Sequence, residues 1–209
     1  IYLNDHVDAA LSRRGRDAFL GRVIESCQFL VGCMAGSMSR DAAYHFLRAG
    51  RYLERADMTS RIVDVGTANV FPWGSGGRAD HLAARESDPY ESILWMNVLR
   101  SLNALQMYRR AVPEHVRADR VVGFLVQDAS FPRAMAHCLE AVRGCLRKLP
   151  HNEMPVATAE AAVARLYGAD VPALSIGGVP VSRGEYATWV MDVWGETFAR
   201  TFVEDLLVQ

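Results

Sequence analysis

Residues 46–65, FLRAGRYLERADMTSRIVDV, set charged side chains at helical spacing between apolar flanks, and this pattern restricts the fold more than any other in the chain. Successive residues on an α-helix turn by about 100°, so Gly50, Glu54, Asp57, Arg61 and Asp64 fall on one stripe. Leu47, Met58, Ile62 and Val65 border that stripe on one side, and Phe46, Leu53, Ala56 and Val63 on the other. A third stripe holds Arg48, Arg51 and Arg55. Two readings stay open. The stripe is a solvated face carrying i,i+4 pairs such as Asp57 with Arg61, each giving about 0.2–0.5 kcal/mol. Alternatively it is a polar seam inside a helical bundle, where a buried charge needs a partner. From Glu54 to Asp64 the seam carries three acids and one Arg, so something basic is expected to face it.

The other long segments share the helical period. Phe19, Val23, Cys27, Leu30, Met34 and Met38 step by three or four and predict a helix that faces a core, with Gly15 as the break before it. Gly32 and Gly36 on it either admit a second backbone closely or loosen the helix end. Ser39 is a fair cap for the central helix and Gly66 a fair stop. Residues 67–87, rich in Gly and Pro, read as a long mobile or functional loop. Asp88-Pro89-Tyr90-Glu91 starts a helix expected to run to about Ala111, with Trp95 and Tyr108 as packing residues. Pro113 restarts helix through Val121, Val122, Phe124 and Leu125. Pro132 fits the first turn of another, carrying Met135, Cys138, Val142, Cys145 and Leu149. A short Ala-rich helix over 158–167 and a last helix after the Ser182–Glu185 capping box complete the set. Seven helical segments and no convincing strand predict an all-α multi-helix bundle formed by residues 1–209 as a single domain.

Half of the 209 residues are hydrophobic, enough to bury a sizeable core. Basic and acidic residues nearly cancel, 23 against 24, so no global field draws the chain to nucleic acid or to an anionic membrane. The uncharged run 27–39 falls short of the ~20 apolar residues that span a bilayer, and no membrane crossing is expected. Cys27, Cys33, Cys138 and Cys145 show neither a C-x-x-C pair nor a secreted-domain spacing, and read as buried thiols in a reducing cytoplasm. The chain opens on Ile1 with no signal region, which suggests a trimmed N-terminus.

No standard constellation for catalysis stands in the sequence. None of the six histidines lies three after a Glu as a di-iron bundle requires, and phosphate loop, nucleophile elbow and zinc helix are all missing, so no metal or cofactor is expected. His137 beside Cys138 invites a nucleophile pair, but neighbours on a helix point about 100° apart and packing explains them better. What remains is carboxylate and guanidinium: Arg51 or Arg55 can hold an anionic group or a partner's acidic residue, or pair within the bundle.

The string G-R-Y-L-E-R-A-D-M-T-S-R-I-V-D-V, from Gly50 to Val65, strongly resembles the signature of the bacterial alpha-E domain family, an α-helical domain named for a Glu-Arg motif, here Glu54-Arg55. G-S-M-S-R-D from Gly36 and F-P-R-A at Phe131 to Ala134 add to the resemblance, the latter departing from F-P-R-S at Ala134. The similarity covers Asp17 to about Arg147. Members usually carry two Glu-Arg helices; this chain holds one, and resembles the half containing the second. The resemblance implies association with ATP-grasp ligases or transglutaminase-like proteins, and so service in peptide modification.

Three functions follow as expectations. The first is a non-catalytic helical partner that docks an ATP-grasp peptide or amide ligase or presents its substrate. The second is an enzyme in which Glu54, Arg51, Arg55 and Arg133 form a site for an amino-acid or peptide carboxylate, Glu54 serving as acid or base. The third is a structural, homo-oligomerising bundle. An apolar exposed face beside Glu54 favours docking, an open cleft favours the enzyme, and a closed ion-pair core favours the structural role. Glu54 is expected to point into the seam and Arg55 toward a groove edge.

Overall fold

The computed structural model describes residues 2–70, 89–171, 175–176 and 179–180. The elements run α1 (Tyr2–Leu11), α2 (Arg13–Ser37), α3 (Ala42–Val70), α4 (Pro89–Ser101), α5 (Leu105–Ala111), α6 (Ala118–Gln127), α7 (Met135–Leu146) and α8 (Glu153–Gly168). Then come two two-residue strands, β1 (Ser175–Ile176) and β2 (Val179–Pro180), antiparallel with Ser175 opposite Pro180. The fold is an all-α bundle, with eight helices among the described residues. Of the loop expected over 67–87, residues 67–70 belong instead to α3; the remainder and the expected last helix lie outside the described residues.

Two compact units divide the chain, Ile1–Tyr44 and His45–Gln209. In the first, the break falls at Ser12 and not at Gly15. Ser12 Oγ accepts from the Gly15 amide at 2.9 Å and caps α2, so Gly15 sits inside the first turn. None of the stripe residues Phe19, Val23, Cys27, Leu30 and Met34 is buried. Leu20, Ile24 and Phe29, off that stripe, are exposed as well, Phe29 at 71 %. The expectation of a core-facing helix therefore fails here: the period specified a helix, but its apolar residues run round all sides instead of making one face. Cys27 and Cys33 are exposed free thiols, which corrects the expectation that all four are buried. Among the described residues α2 is also the one helix long and apolar enough to cross a membrane, over Arg14–Ser37, a test that core helices and signal sequences pass too. The uncharged run underrated it because Arg22 and Glu25 interrupt the apolar stretch while pairing with each other at 3.5 Å.

The Asp41 carboxylate, and not Ser39, caps α3 by accepting from the Tyr44 amide at 3.0 Å. The helix then runs through Gly66 to Val70. Gly66 does not stop it because the residue serves packing: a Cβ there would lie 2.8 Å from Val98 Cγ2, so its absence lets α3 and α4 approach closely.

The second unit buries one core. Ala49, Ala56 and Val63 of α3 meet Trp95 and Leu99 of α4, Tyr108 of α5, Val121 and Leu125 of α6, Met135, Leu139 and Leu146 of α7 and Leu166 of α8. Trp95 and Tyr108 are packing residues, as expected, and the α7 stripe from Met135 to Cys145 is buried throughout. The helix expected from Pro89 to Ala111 is split. Asn103 takes a left-handed φ of 51°, with its amide bonded to the Arg100 carbonyl at 3.0 Å and the Ala104 amide to that of Leu99 at 2.7 Å. This double bond pattern closes a helix end, and Asn tolerates the conformation it needs. Gln127 Nε2 ties the end of α6 to the end of α8 by donating to the carbonyls of Leu166 and Ala169 at 3.0 and 2.8 Å.

Candidate functional site

The middle of α3 presents two unlike faces. Ala49, Tyr52, Ala56, Thr59, Val63 and Gly66 recur at three and four and are buried, so the stripe facing the core is built mainly from small residues. On the other side, Leu47, Glu54, Met58, Arg61 and Val65 are exposed. Glu54 is therefore a solvent-facing carboxylate, not a member of a buried seam, and among the described residues it makes no hydrogen bond or ion pair. Arg61 Nε reaches Asp57 Oδ2 at 2.7 Å on this surface. That bond, followed by the attraction of Asp57, raises the Arg61 guanidinium above its ordinary value. The solvated-face reading describes Glu54, Asp57 and Arg61; Asp64 is half-buried, with Oδ1 shut off from solvent.

Arg55, expected toward a groove edge, takes part in the framework of the fold. It is half-buried, and Nη1 donates to the carbonyl of Pro132 at 3.1 Å. One turn on, Thr59 Oγ1 lies 2.8 Å from the Arg133 carbonyl and 3.0 Å from that of Arg55, a single hydroxyl hydrogen serving both. Two residues of α3 thus hold the Phe131–Ala134 turn by consecutive carbonyls. The turn is braced from its other side by Asp128, whose Oδ1 accepts from the Ser130 amide and hydroxyl at 2.8 Å and from the Phe131 amide at 2.7 Å. Phe131 stacks on Phe124 with centroids 5.1 Å apart and fixes the turn to the core. Pro132 therefore lies in this turn ahead of α7 and not within its first helical turn.

Around the clamp the structure gathers guanidinium and thiol. The Arg48, Arg51 and Arg55 guanidinium carbons stand 5.5, 5.4 and 5.5 Å from the Tyr52 ring centroid, within the ~6 Å over which a ring face attracts a cation. Burial lowers the Arg55 pKa; the Cys138 thiol opposes this, and the charges of Arg133 and Arg51 add to it. The Cys138 thiol donates to the same Pro132 carbonyl at 3.5 Å, and burial pushes it up to about 12 despite the opposing pull of Arg55 and Arg133. Such a thiol is no nucleophile. His137 points elsewhere, Nδ1 lying 2.9 Å from the Ala129 carbonyl, with its ring 5.9 Å from that of Tyr52.

Of the residues picked from the sequence, Arg51, Arg55 and Arg133 come together, whereas Glu54, Asp57 and Arg61 stand on the exposed side of α3. Tyr52, Thr59 and Asp128 belong to the Arg55 neighbourhood and were missed, and Cys138, weighed as a nucleophile and as a buried thiol, belongs there too. Asp128-Ala129-Ser130 carried a turn signal; Thr59 carried none, since a mid-helix Thr ordinarily bonds its own helix. Among the described residues no group of three or more His, Cys, Asp or Glu side chains is placed to hold a metal ion.

No curated protein and no solved structure matches the chain. A family model does, over residues 2–179, and its description is a predicted alpha-helical domain with a conserved ER motif. The match extends at both ends beyond the span that the resemblance covered, and takes in Glu54-Arg55, which is the sole Glu-Arg dipeptide of the sequence. The chain belongs to the Alpha-E family.

Proposed function

We propose that the protein is a non-catalytic helical partner that docks an ATP-grasp peptide or amide ligase, or a transglutaminase-like protein of the same kind of system, and helps present its peptide. The observation that carries this reading is the exposed apolar face beside Glu54. Met58 and Val65 are 51 % and 57 % exposed, and Leu47 stands in line with them. Their surface runs into a groove of about 400 Å³ between α3 and α4, lined by Arg61, Ile62, Val65, Leu94 and Val98. Apolar area interrupted by the exposed Glu54 carboxylate and by the Asp57–Arg61 ion pair suits a partner that contributes its own apolar anchor and a cation. The exposed thiols of Cys27 and Cys33 fit a reducing cytoplasm as its place of work.

The enzyme reading needs Glu54 and the arginines to converge, and Glu54 faces solvent while Arg55 turns inward. Co-purification with an ATP-grasp ligase is the test, using Met58→Asp and Val65→Asp as interface variants. Capture by wild type, weakened about tenfold or more by either variant, supports docking. Capture untouched by both, or a protein that only self-associates through this face, overturns it.

A further inference from the structure

Arg51, Arg55 and Arg133 pose a charge problem that partner docking leaves unused. Arg61, Arg117, Arg120, Arg143 and Arg147 each reach a carboxylate. Among the described residues Arg51, Arg55 and Arg133 reach none, although all three are half-buried and close enough for the charges of Arg51 and Arg133 to disfavour that of Arg55. Like charges gathered this way raise one another's energy, and partial burial removes water that would screen them. Donors are in excess as well. A guanidinium carries five N–H groups; among the described residues Arg55 uses one, on Pro132, and Arg51 Nε is buried with no acceptor.

We propose that Arg51, Arg55 and Arg133 form a binding site for a phosphoryl group, where α3 meets the Phe131–Ala134 turn. A phosphoryl group fits better than a carboxylate. It brings up to two negative charges and three acceptor oxygens, against three planar forks on three cations that reach no carboxylate among the described residues. The supporting frame is rigid: Tyr52 lies beside Arg51 and Arg55, and the turn carrying Arg133 is fixed by Arg55, Thr59 and Asp128. Selectivity then comes from the number of oxygens the ligand offers.

Calorimetric titration of the full chain with pyrophosphate, in about 0.15 M salt so that long-range attraction is screened, tests this. Acetate and a short peptide with a free C-terminus serve as carboxylate probes. The expected result is saturable pyrophosphate binding, weakened about tenfold or more by Arg51→Gln and by Arg133→Gln. Among the described residues neither side chain makes a hydrogen bond that the substitution would remove. Arg133→Lys, which keeps charge but loses the fork, is expected to bind between the two. Arg109→Gln, on the exposed end of α5, is expected to change nothing. No saturable binding, equal affinity for the carboxylate probes, or equal weakening by Arg109→Gln each overturns the site. Ligase capture that persists without pyrophosphate binding, or the reverse, separates this site from the docking reading.

Discussion

Arg55 Nη1 donates to the Pro132 carbonyl oxygen at 3.1 Å across a separation of 77 residues. This single bond joins the Glu-Arg dipeptide of α3 to the F-P-R-A turn, two of the three strings by which the family was legible in the sequence. The arginine of the pair is thus a framework residue, and the glutamate beside it is the one presented to solvent.

Arg55→Ala is accordingly expected to destabilise the second unit by about 0.5–1.5 kcal/mol, the net worth of the hydrogen bond to the Pro132 carbonyl. Glu54→Ala is expected to stay within about 0.5 kcal/mol of wild type, as exposed substitutions away from specific contacts do. Denaturant melts of the two variants decide it. A Glu54→Ala protein less stable than Arg55→Ala would restore the buried-seam reading.

The sequence made the helices legible because their period survives any packing arrangement. It did not reveal which side of α3 faces the core. Sequence reasoning weights large apolar residues, yet the buried stripe is Ala49, Ala56, Thr59 and Gly66, while Leu47, Met58 and Val65 remain outside. Small residues win that face because they let helices approach. Asn103 and Ser12 ended helices for local reasons, a left-handed turn and a side-chain cap, that compete with periodicity over only a few residues. Arg55 was legible as a cation but not as a clamp, since its partner is a backbone carbonyl that no side-chain pattern announces.

Gly66→Ala tests the packing of α3 on α4. Helix propensity favours Ala by about 1 kcal/mol, but the new Cβ meets Val98 Cγ2 at 2.8 Å, and a β-branched side chain has little rotameric room to move. Overpacking of this kind costs about 1–3 kcal/mol, so a net loss is expected. Combining Gly66→Ala with Val98→Ala is expected to recover part of it, as a double-mutant cycle will show. A Gly66→Ala protein more stable than wild type refutes the close approach.

Thiol labelling separates the four cysteines. Cys27 and Cys33 are exposed and expected to react promptly with a disulfide reagent at neutral pH, whereas Cys138 and Cys145 are buried with their thiol pKa values raised, by burial first in each case. Two thiols titrated in the native protein and four in denaturant is the expected count. Prompt labelling of Cys138 would place it on an accessible surface and remove it from the Arg55 clamp.

Cys138 also predicts an alkaline limit to stability. Its thiol titrates near 9.0 as an unperturbed group and at about 12 in the folded protein, with burial as the largest cause. Between those values the folded state keeps a proton that the unfolded state has lost, so unfolding releases about one proton and stability falls as pH rises. Below pH ~9 both states hold the proton and this contribution is constant. Folding stability measured from pH 8 to pH 11 is therefore expected to decline more steeply in wild type than in Cys138→Ala, by about one proton in the slope. All other ionisable groups are common to both proteins and cancel in the comparison. Because Arg55 and Arg133 oppose the shift, neutralising either by Gln is expected to raise the thiol further and extend the decline to higher pH. Identical alkaline slopes for wild type and Cys138→Ala would mean that the thiol is not held away from water beneath Arg55.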